Sequence, residues 1–339
     1  MAKQVFEFKL SFNLRKLKSA PMSDANTPTS LSPPLLITVA ICTRNRAAFL
    51  EPAIRSVLPQ LAPDTELLVV DNASTDDTAA LCARLAAETG AVGYRLERRL
   101  GLSVARNLAV NEARGKFILF LDDDALAEPG WLAAYRNFLL HPPATDIVAV
   151  GGGVIPFYDP APPPWITPDY CRFDLGEKAL LMARGGLAGC NSAYDCSAVI
   201  AAGFFDPQLG YQGDILIPRE ESELQDRLIQ AGGKCWWLPG AAVRHFVAAS
   251  RLTVQAAAAA AFHNGRAAAI QRLKTTPSAR ARFVLRLTRL FFAPFHILIN
   301  LLQTVFSFAL GRQKSAITSW RRVFRTTGWA WQLVKSLAP

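Results

Sequence analysis

Leu35 to Thr43 (LLITVAICT) is a continuous apolar run rich in β-branched residues. The polar segment after it, RNRAAFLEPAIRSVLPQ, repeats its apolar positions at helical spacing, so a strand gives way to a helix. The same change of period recurs along the chain. TELLVVDNAS predicts a second strand and TDDTAALCARLAAE a second helix, with Ser74 or Thr75 as its cap. GYRLERR predicts a third strand, SVARNLAVNEA a helix and GKFILFLDDD a fourth strand. Strands and helices alternating at this pitch predict a mostly parallel sheet flanked by helices, an α/β architecture. GGGVIPFYDPAPPPWITPDY has no regular period and reads as a loop.

In such sheets ligands bind beyond the carboxyl ends of the strands. Three predicted strand ends carry polar residues there: Thr43-Arg44-Asn45, Asp71-Asn72 and Asp122 to Asp124. No GxGxxG turn and no P-loop accompanies them, which removes the usual dinucleotide and P-loop readings. Within FILFLDDDALAEPGW no Lys or Arg relieves the three adjacent carboxylates. One Asp would cap the helix predicted after them, but three exceed that need. Clustered carboxylates suit Mg²⁺ or Mn²⁺, and such ions take one or two carboxylates together with substrate phosphates. A metal-bound diphosphate is therefore the expected ligand, and a divalent cation the expected counter-charge.

Charge divides the chain. The net charge of +10 hides a body of 226 residues with 20 basic and 27 acidic groups, net −7. After Asp226, the last acid, come 17 Lys and Arg. Inside this basic region Leu290 to Leu310 has no charged residue and approaches the roughly 20 residues of a bilayer-crossing helix. Pro294, His296, Asn300 and Gln303 weaken a simple span, and Arg286, Arg289, Arg312, Lys314, Arg321 and Arg322 flank it on both sides. An interfacial, re-entrant or single-span helix on an anionic membrane surface is expected, at the cytoplasmic face, rather than binding to nucleic acid. The six cysteines form no CxxC pair and read as reduced thiols. At the other end, a Pro-rich polar stretch leads into the body without a secretory signal pattern; Met22 within it is a second candidate start.

Five motifs, in order, carry a resemblance: VAICTRNRAAFLEPAIRSVL, ELLVVDNASTDDT, GLSVARNLAVNEARGKFILFLDDDA, GCNSAYDCSAVIAAGFFDPQLG and REESELQDRLIQAGGKCWWLPGAAVRH. Together, over about residues 36–251, they resemble the inverting glycosyltransferases of family 2, of the bacterial surface-polysaccharide type. The resemblance implies a GT-A fold, a nucleotide-diphospho-sugar donor with UDP-sugars favoured, and Mn²⁺ or Mg²⁺. It implies that Asp71 recognises the base, with Thr43 and Arg44 beside it, and that Arg106 and Asn107 line the nucleotide side. Asp122 to Asp124 stand at the DxD motif, Asp124 as the metal ligand and Asp122 or Asp123 nearer the ribose. Asp122 and His245 complete the expected metal set. Inverting transfer needs a base for the acceptor hydroxyl. The resemblance assigns that base to Glu221, with Glu220 as the alternative, although Glu stands where the family has Asp. Asn191 falls on the acceptor-side stretch, Gly203 to Asp206 on a GGFD motif, and Arg227 follows the acidic pair as a support for the acid or a phosphate. Trp165 or Tyr158 in the Pro-rich loop would suit stacking against a sugar.

The expected organisation is a flexible leader over 1–34, a GT-A catalytic domain over 35–250 and a helical, basic, membrane-associated region over 251–339. The expected reaction is sugar transfer to a hydroxyl of a glycan or lipid-linked acceptor in polysaccharide biosynthesis. Transfer to polyprenyl phosphate, whose acceptor is already ionised, and a non-catalytic membrane scaffold are the alternatives.

Overall fold

The computed structural model describes residues 35–159, 161–166, 170–212 and 215–336. The leader expected over 1–34 lies outside them. The chain runs β1 (Ile37–Thr43), α1 (Ala47–Val57), β2 (Thr65–Asp71), α2 (Thr78–Thr89), β3 (Val92–Leu96), α3 (Leu102–Glu112), β4 (Phe117–Leu121), β5 (Ala125–Ala127) and α4 (Trp131–Leu140). It continues through β6 (Ile147–Gly151), β7 (Val154–Asp159), β8 (Leu180–Leu181), β9 (Asn191–Asp195), α5 (Cys196–Ala201), β10 (Gly210–Gln212), β11 (Ile215–Ile217) and α6 (Glu220–Gln230). β12 (Lys234–Trp237), β13 (Val243–Ala248), α7 (Val254–Thr275), α8 (Ala279–Ala309) and α9 (Gln313–Lys335) complete it.

Eight strands form the main sheet in the order β3-β2-β1-β4-β9-β6-β12-β8. β3, β2, β1 and β4 are parallel, as the alternating pattern predicts, whereas β9 runs antiparallel to both β4 and β6. Both faces are covered, which is why β1 and β4 read as unbroken apolar runs. Val39, Ile41, Val69 and Leu119 pack on one face with Leu50 and Ile54 of α1, Leu85 of α2 and Trp131 and Tyr135 of α4. Ala40, Val70, Ile118 and Phe120 pack on the other with Ala105 and Ala109 of α3 and Leu224 and Leu228 of α6.

Two expectations change here. The aperiodic Pro-rich segment contains strand β7, which pairs in parallel with β13 in a smaller sheet beside β5. Its aromatics pack inward: Tyr158 and Trp165 surround Ile166, Val247 and Leu252, and the Tyr158 hydroxyl donates to the Tyr170 carbonyl at 2.5 Å. Ser74 and Thr75 do not cap α2. Ser74 Oγ accepts from Asn45 N at 2.9 Å and Thr75 N donates to Asn45 Oδ1 at 2.6 Å, tying the β2–α2 loop to the β1–α1 loop.

The three C-terminal helices pack mainly on one another. α7 and α9 cross closely at glycines: a Cβ on Gly265 would lie 2.0 Å from the Arg325 carbonyl oxygen, and one on Gly328 would lie 1.9 Å from that of Phe262. α7 meets the body through Ala267 and Ile270 against Leu209 and Ile217, and through Lys274, which pairs with Asp206. α8 is long and apolar enough to cross a membrane, and its apolar stretch is almost wholly unburied by the rest of the chain.

Candidate functional site

Register places the polar strand ends at one level. Thr43 is the direct parallel partner of Asp71, and the β1–β4 pairing carries Asp123 to the same edge. Thr43 Oγ1 donates to Asp123 Oδ2 at 2.7 Å, so the first and fourth strand ends are joined by a buried hydrogen bond. Asp71 is buried and accepts from Ser74 N and from the Tyr94 hydroxyl, both at 2.8 Å. The next residue, Asn72, donates to the carbonyls of Glu97 and Arg99 and accepts from Gly101 N, which fixes the loop leading into α3. Arg44 lies at the same strand end, its Nε enclosed without a partner.

The counter-charges absent from the FILFLDDDALAEPGW stretch come from three other elements of the chain. Arg46 reaches Asp123 at 3.1 Å and Asp124 at 2.8 Å. His245, at the middle of β13, places Nε2 at 3.1 Å from Asp124 and 3.8 Å from Asp122. Burial lowers the affinity of His245 for its proton, but the hydrogen bonds and charges of Asp122 and Asp124 outweigh it and raise its pKa to about 9. Burial likewise pushes Asp123 up to about 7 against the pull of Arg46, whereas Asp124, despite its burial, is held well below the carboxylate range by His245 and Arg46. The expectation that a cation alone relieves the repulsion is thus modified: each of the three aspartates already has a cationic partner in the chain.

Arg106 is the hub of the site. Only 3% of its side chain is exposed, it stacks over Phe120 and Phe205, and it donates to Glu220 Oε1 at 2.8 Å and to Asp122 Oδ1 at 3.3 Å. The strand-end aspartates are thereby linked to the first turn of α6. Glu220 Oε2 is buried with no partner. The neighbouring Glu221 is pushed up to about 8 by burial and by the Glu220 carboxylate, with Arg106 opposing. A Cβ on Gly189 would meet Arg106 at 3.3 Å and Glu221 at 3.4 Å, so this loop lies against both.

The structure therefore gathers Thr43, Asp71, Asp122, Asp123, Asp124, Arg106, Glu220, Glu221 and His245 around one sheet edge. Other quoted residues hold the frame. Asn191 is fully buried: it accepts from Trp131 Nε1 and the Tyr135 hydroxyl and donates to the carbonyls of Gly153 and Ala241. Asn107 exchanges two hydrogen bonds with the Phe205 backbone, and Arg227 pairs with Glu223 and the carbonyls of Ala202 and Phe204. Arg46 and Cys190 were not singled out in the sequence. The signal for Arg46 was the second Arg of TRNR, three residues past the strand. Cys190 forms, with Asp122 and His245, a cluster whose ligand atoms lie within 4.8 Å of one another. Burial pushes the Cys190 thiol well above its usual range, which leaves the carboxylates and the imidazole as the effective donors for a hard divalent ion.

Residues 38–202 match the sequence profile described as Glycosyl transferase family 2. The chain carries a family 2 glycosyltransferase domain. Within about 90 residues it is 34% identical to GalNAc(5)-diNAcBac-PP-undecaprenol β-1,3-glucosyltransferase of Campylobacter jejuni, over 26% of this chain and 29% of that one. It is 36% identical over 91 residues to the putative teichuronic acid biosynthesis glycosyltransferase TuaG of Bacillus subtilis, over 26% of this chain and 36% of that one. The chain spans about a third of the length of these curated relatives. The family 2 domain and its helical extension also resemble the mannosyltransferase PcManGT from Pyrobaculum calidifontis, solved with GDP-Man and Mn²⁺, at a TM-score of 0.60, 16% identity and 87% coverage of both chains. That likeness places the fold among the GT-A proteins.

Proposed function

We propose that the chain transfers a sugar, with inversion, from a nucleotide-diphospho-sugar to a hydroxyl of a glycan or lipid-linked acceptor at a membrane surface. The observation that carries this reading is the connection from Asp122 through the buried Arg106 to Glu220, which sets a cation-binding carboxylate edge and a high-pKa carboxyl side by side. Asp71, with the Tyr94 hydroxyl on one oxygen, retains acceptor capacity for a base; Thr43 and Asp123 stand beside it for the ribose.

Asp122, Asp124 and, once its proton is released, His245 fit a divalent ion by their donor chemistry, and the imidazole nitrogen favours Mn²⁺ over Mg²⁺. When bound, such an ion supplies Lewis-acid stabilisation of the diphosphate leaving group. Glu221 takes the proton of the attacking hydroxyl, and its raised pKa makes it a stronger base than an ordinary carboxylate. Arg106 donates to Glu220 beside it and holds the first turn of α6 in place. We assign 35–250 as the catalytic body and 251–339 as the membrane-attached region. Exposed α8 supports attachment at the anionic cytoplasmic face.

A donor screen by thermal shift with Mn²⁺ tests the reading. One of the UDP-, GDP- or dTDP-sugars should raise the melting temperature, and Asp71→Ala should abolish the shift; no response to any of them would contradict it. The same donor with polyprenyl phosphate as acceptor separates the alternative reaction. An ionised phosphate needs no base, so Glu221→Gln would leave that transfer intact while abolishing transfer to a hydroxyl.

A further inference from the structure

The polar residues that interrupt α8 share a purpose in the fold. Arg289, His296, Asn300 and Gln303 recur at helical spacing and line one cavity of about 530 Å³. That volume falls within the roughly 300–1,000 Å³ typical of small-ligand sites. The opposite wall is α9, which contributes Arg322, Arg325 and Trp329; Asn264 and Ala268 of α7 close a third side, and Arg219, just ahead of α6, completes it.

Four arginines thus line one space, and no carboxylate among the described residues pairs with them. No acid follows Asp226 in the sequence, and Arg219, Arg289, Arg322 and Arg325 make no ion pair among the described residues. Arg289 is held over the Trp329 ring at 5.1 Å. Arg219 donates to Gln271 at 3.1 Å, and Gln271 is itself held by Asp226 at 2.6 Å. Arg219 also has a left-handed backbone at φ 88°, a conformation that a non-glycine residue keeps only where its surroundings enforce it. Arginine forks converging on one cavity suit phosphate oxygens. The remainder of α8 is apolar and open: Phe291, Leu302, Val305, Phe306 and Phe308 are 62–71% exposed. A ligand matching both features has an anionic phosphate head and a long apolar chain.

We propose that this cavity binds the phosphate or diphosphate headgroup of a membrane lipid whose hydrocarbon chain lies along the apolar faces of α8. The proposal deepens the transfer reaction in one respect, that the lipid carries the acceptor. Arg219 lines the cavity and Glu221 lies two residues on, so at most about 7 Å of backbone separates them. A headgroup held by the arginines brings the group attached to it to the proposed base.

Flotation of the full chain with vesicles tests this. The probes are phosphatidylcholine vesicles doped with polyprenyl phosphate, the same vesicles brought to equal surface charge with phosphatidylglycerol, and inorganic pyrophosphate as a soluble competitor. The expected result is binding about tenfold or more tighter to the polyprenyl phosphate vesicles, competed by pyrophosphate, and lost in Arg322→Gln/Arg325→Gln. Arg312→Gln/Lys314→Gln removes equal charge outside the cavity and should weaken binding less than about twofold. Arg289→Lys keeps the charge without the fork and should fall between the two, with its melting transition as the folding control. Equal binding to the two vesicle types, or equal loss in the two double variants, would overturn the assignment in favour of bulk charge. Nucleotide release absent while headgroup binding persists would instead count against the transfer reading alone.

Discussion

The sheet body and the helical tail treat charge and apolar surface in opposite ways. In the body, Arg46 pairs with Asp123 and Asp124, Arg106 with Asp122 and Glu220, and the apolar strands are covered on both faces. In the tail, Arg289, Arg322 and Arg325 share one cavity with Arg219 of the body and make no ion pair among the described residues, and α8 leaves a row of Phe, Leu and Val residues open. A region whose charges and apolar groups are satisfied internally is built to hold its shape. One that leaves both unsatisfied is built to be completed by something else, and an anionic amphiphile completes both deficits together.

Substitutions chosen in pairs break or sharpen that contrast. The largest effect is expected at the body's hub. Arg106→Met leaves Glu220 and Asp122 without their buried partner and should cost about 3–5 kcal/mol in denaturant unfolding. Arg322→Met in the tail should change unfolding by less than about 0.5 kcal/mol, because an exposed arginine without an ion pair loses nothing internal. Asn191→Ala comes next: four buried hydrogen-bonding groups lose a partner, and about 3 kcal/mol or more is expected, with the folded fraction keeping its donor affinity. Loss of donor affinity at unchanged stability would return Asn191 to a ligand-binding role. On the tail, Leu302→Asp should weaken vesicle partitioning by about 2.5–3.5 kcal/mol with little effect on melting, since Leu302 is 62% exposed.

A further effect is a pH dependence. Glu221 has its folded pKa raised to about 8, so the native state holds a proton that the unfolded chain releases near the ordinary carboxyl pKa of about 4.3. Stability therefore falls as pH rises between those two values, while activity rises toward a plateau above about 8 as the base ionises. Glu221→Gln should make the fall over that window less steep, leaving the part contributed by Asp123 and His245. A wild-type rate independent of pH from 6 to 9 would remove Glu221 as the base.

Much of the body is legible in the sequence because β1, β2 and β4 are buried on both faces and read as continuous apolar runs ending in polar residues. β7 is hidden because Pro156 and flanking glycines disguise a strand whose pairing partner, β13, is about 90 residues away. Ser74 and Thr75 look like caps in one dimension; in three they serve Asn45 of the neighbouring loop. Asp122 to Asp124 announce a site, but their partners Arg46, Arg106 and His245 lie on three other elements, and no local spacing connects them. Cys190 is silent for the same reason. The polar residues of α8 weakened a simple membrane span in the sequence, and only the packing of α9 against them gives them a common cavity.

The central claim is that the carboxylate edge binds and activates a nucleotide-diphospho-sugar. The most direct test is the initial rate of nucleoside diphosphate release from the donor selected by thermal shift, with Mn²⁺ and lipid-linked acceptor, in the wild type and in Asp124→Ala. A fall of at least about a hundredfold in the variant, with its melting curve still cooperative, is the predicted result. Equal release by the two proteins would contradict it.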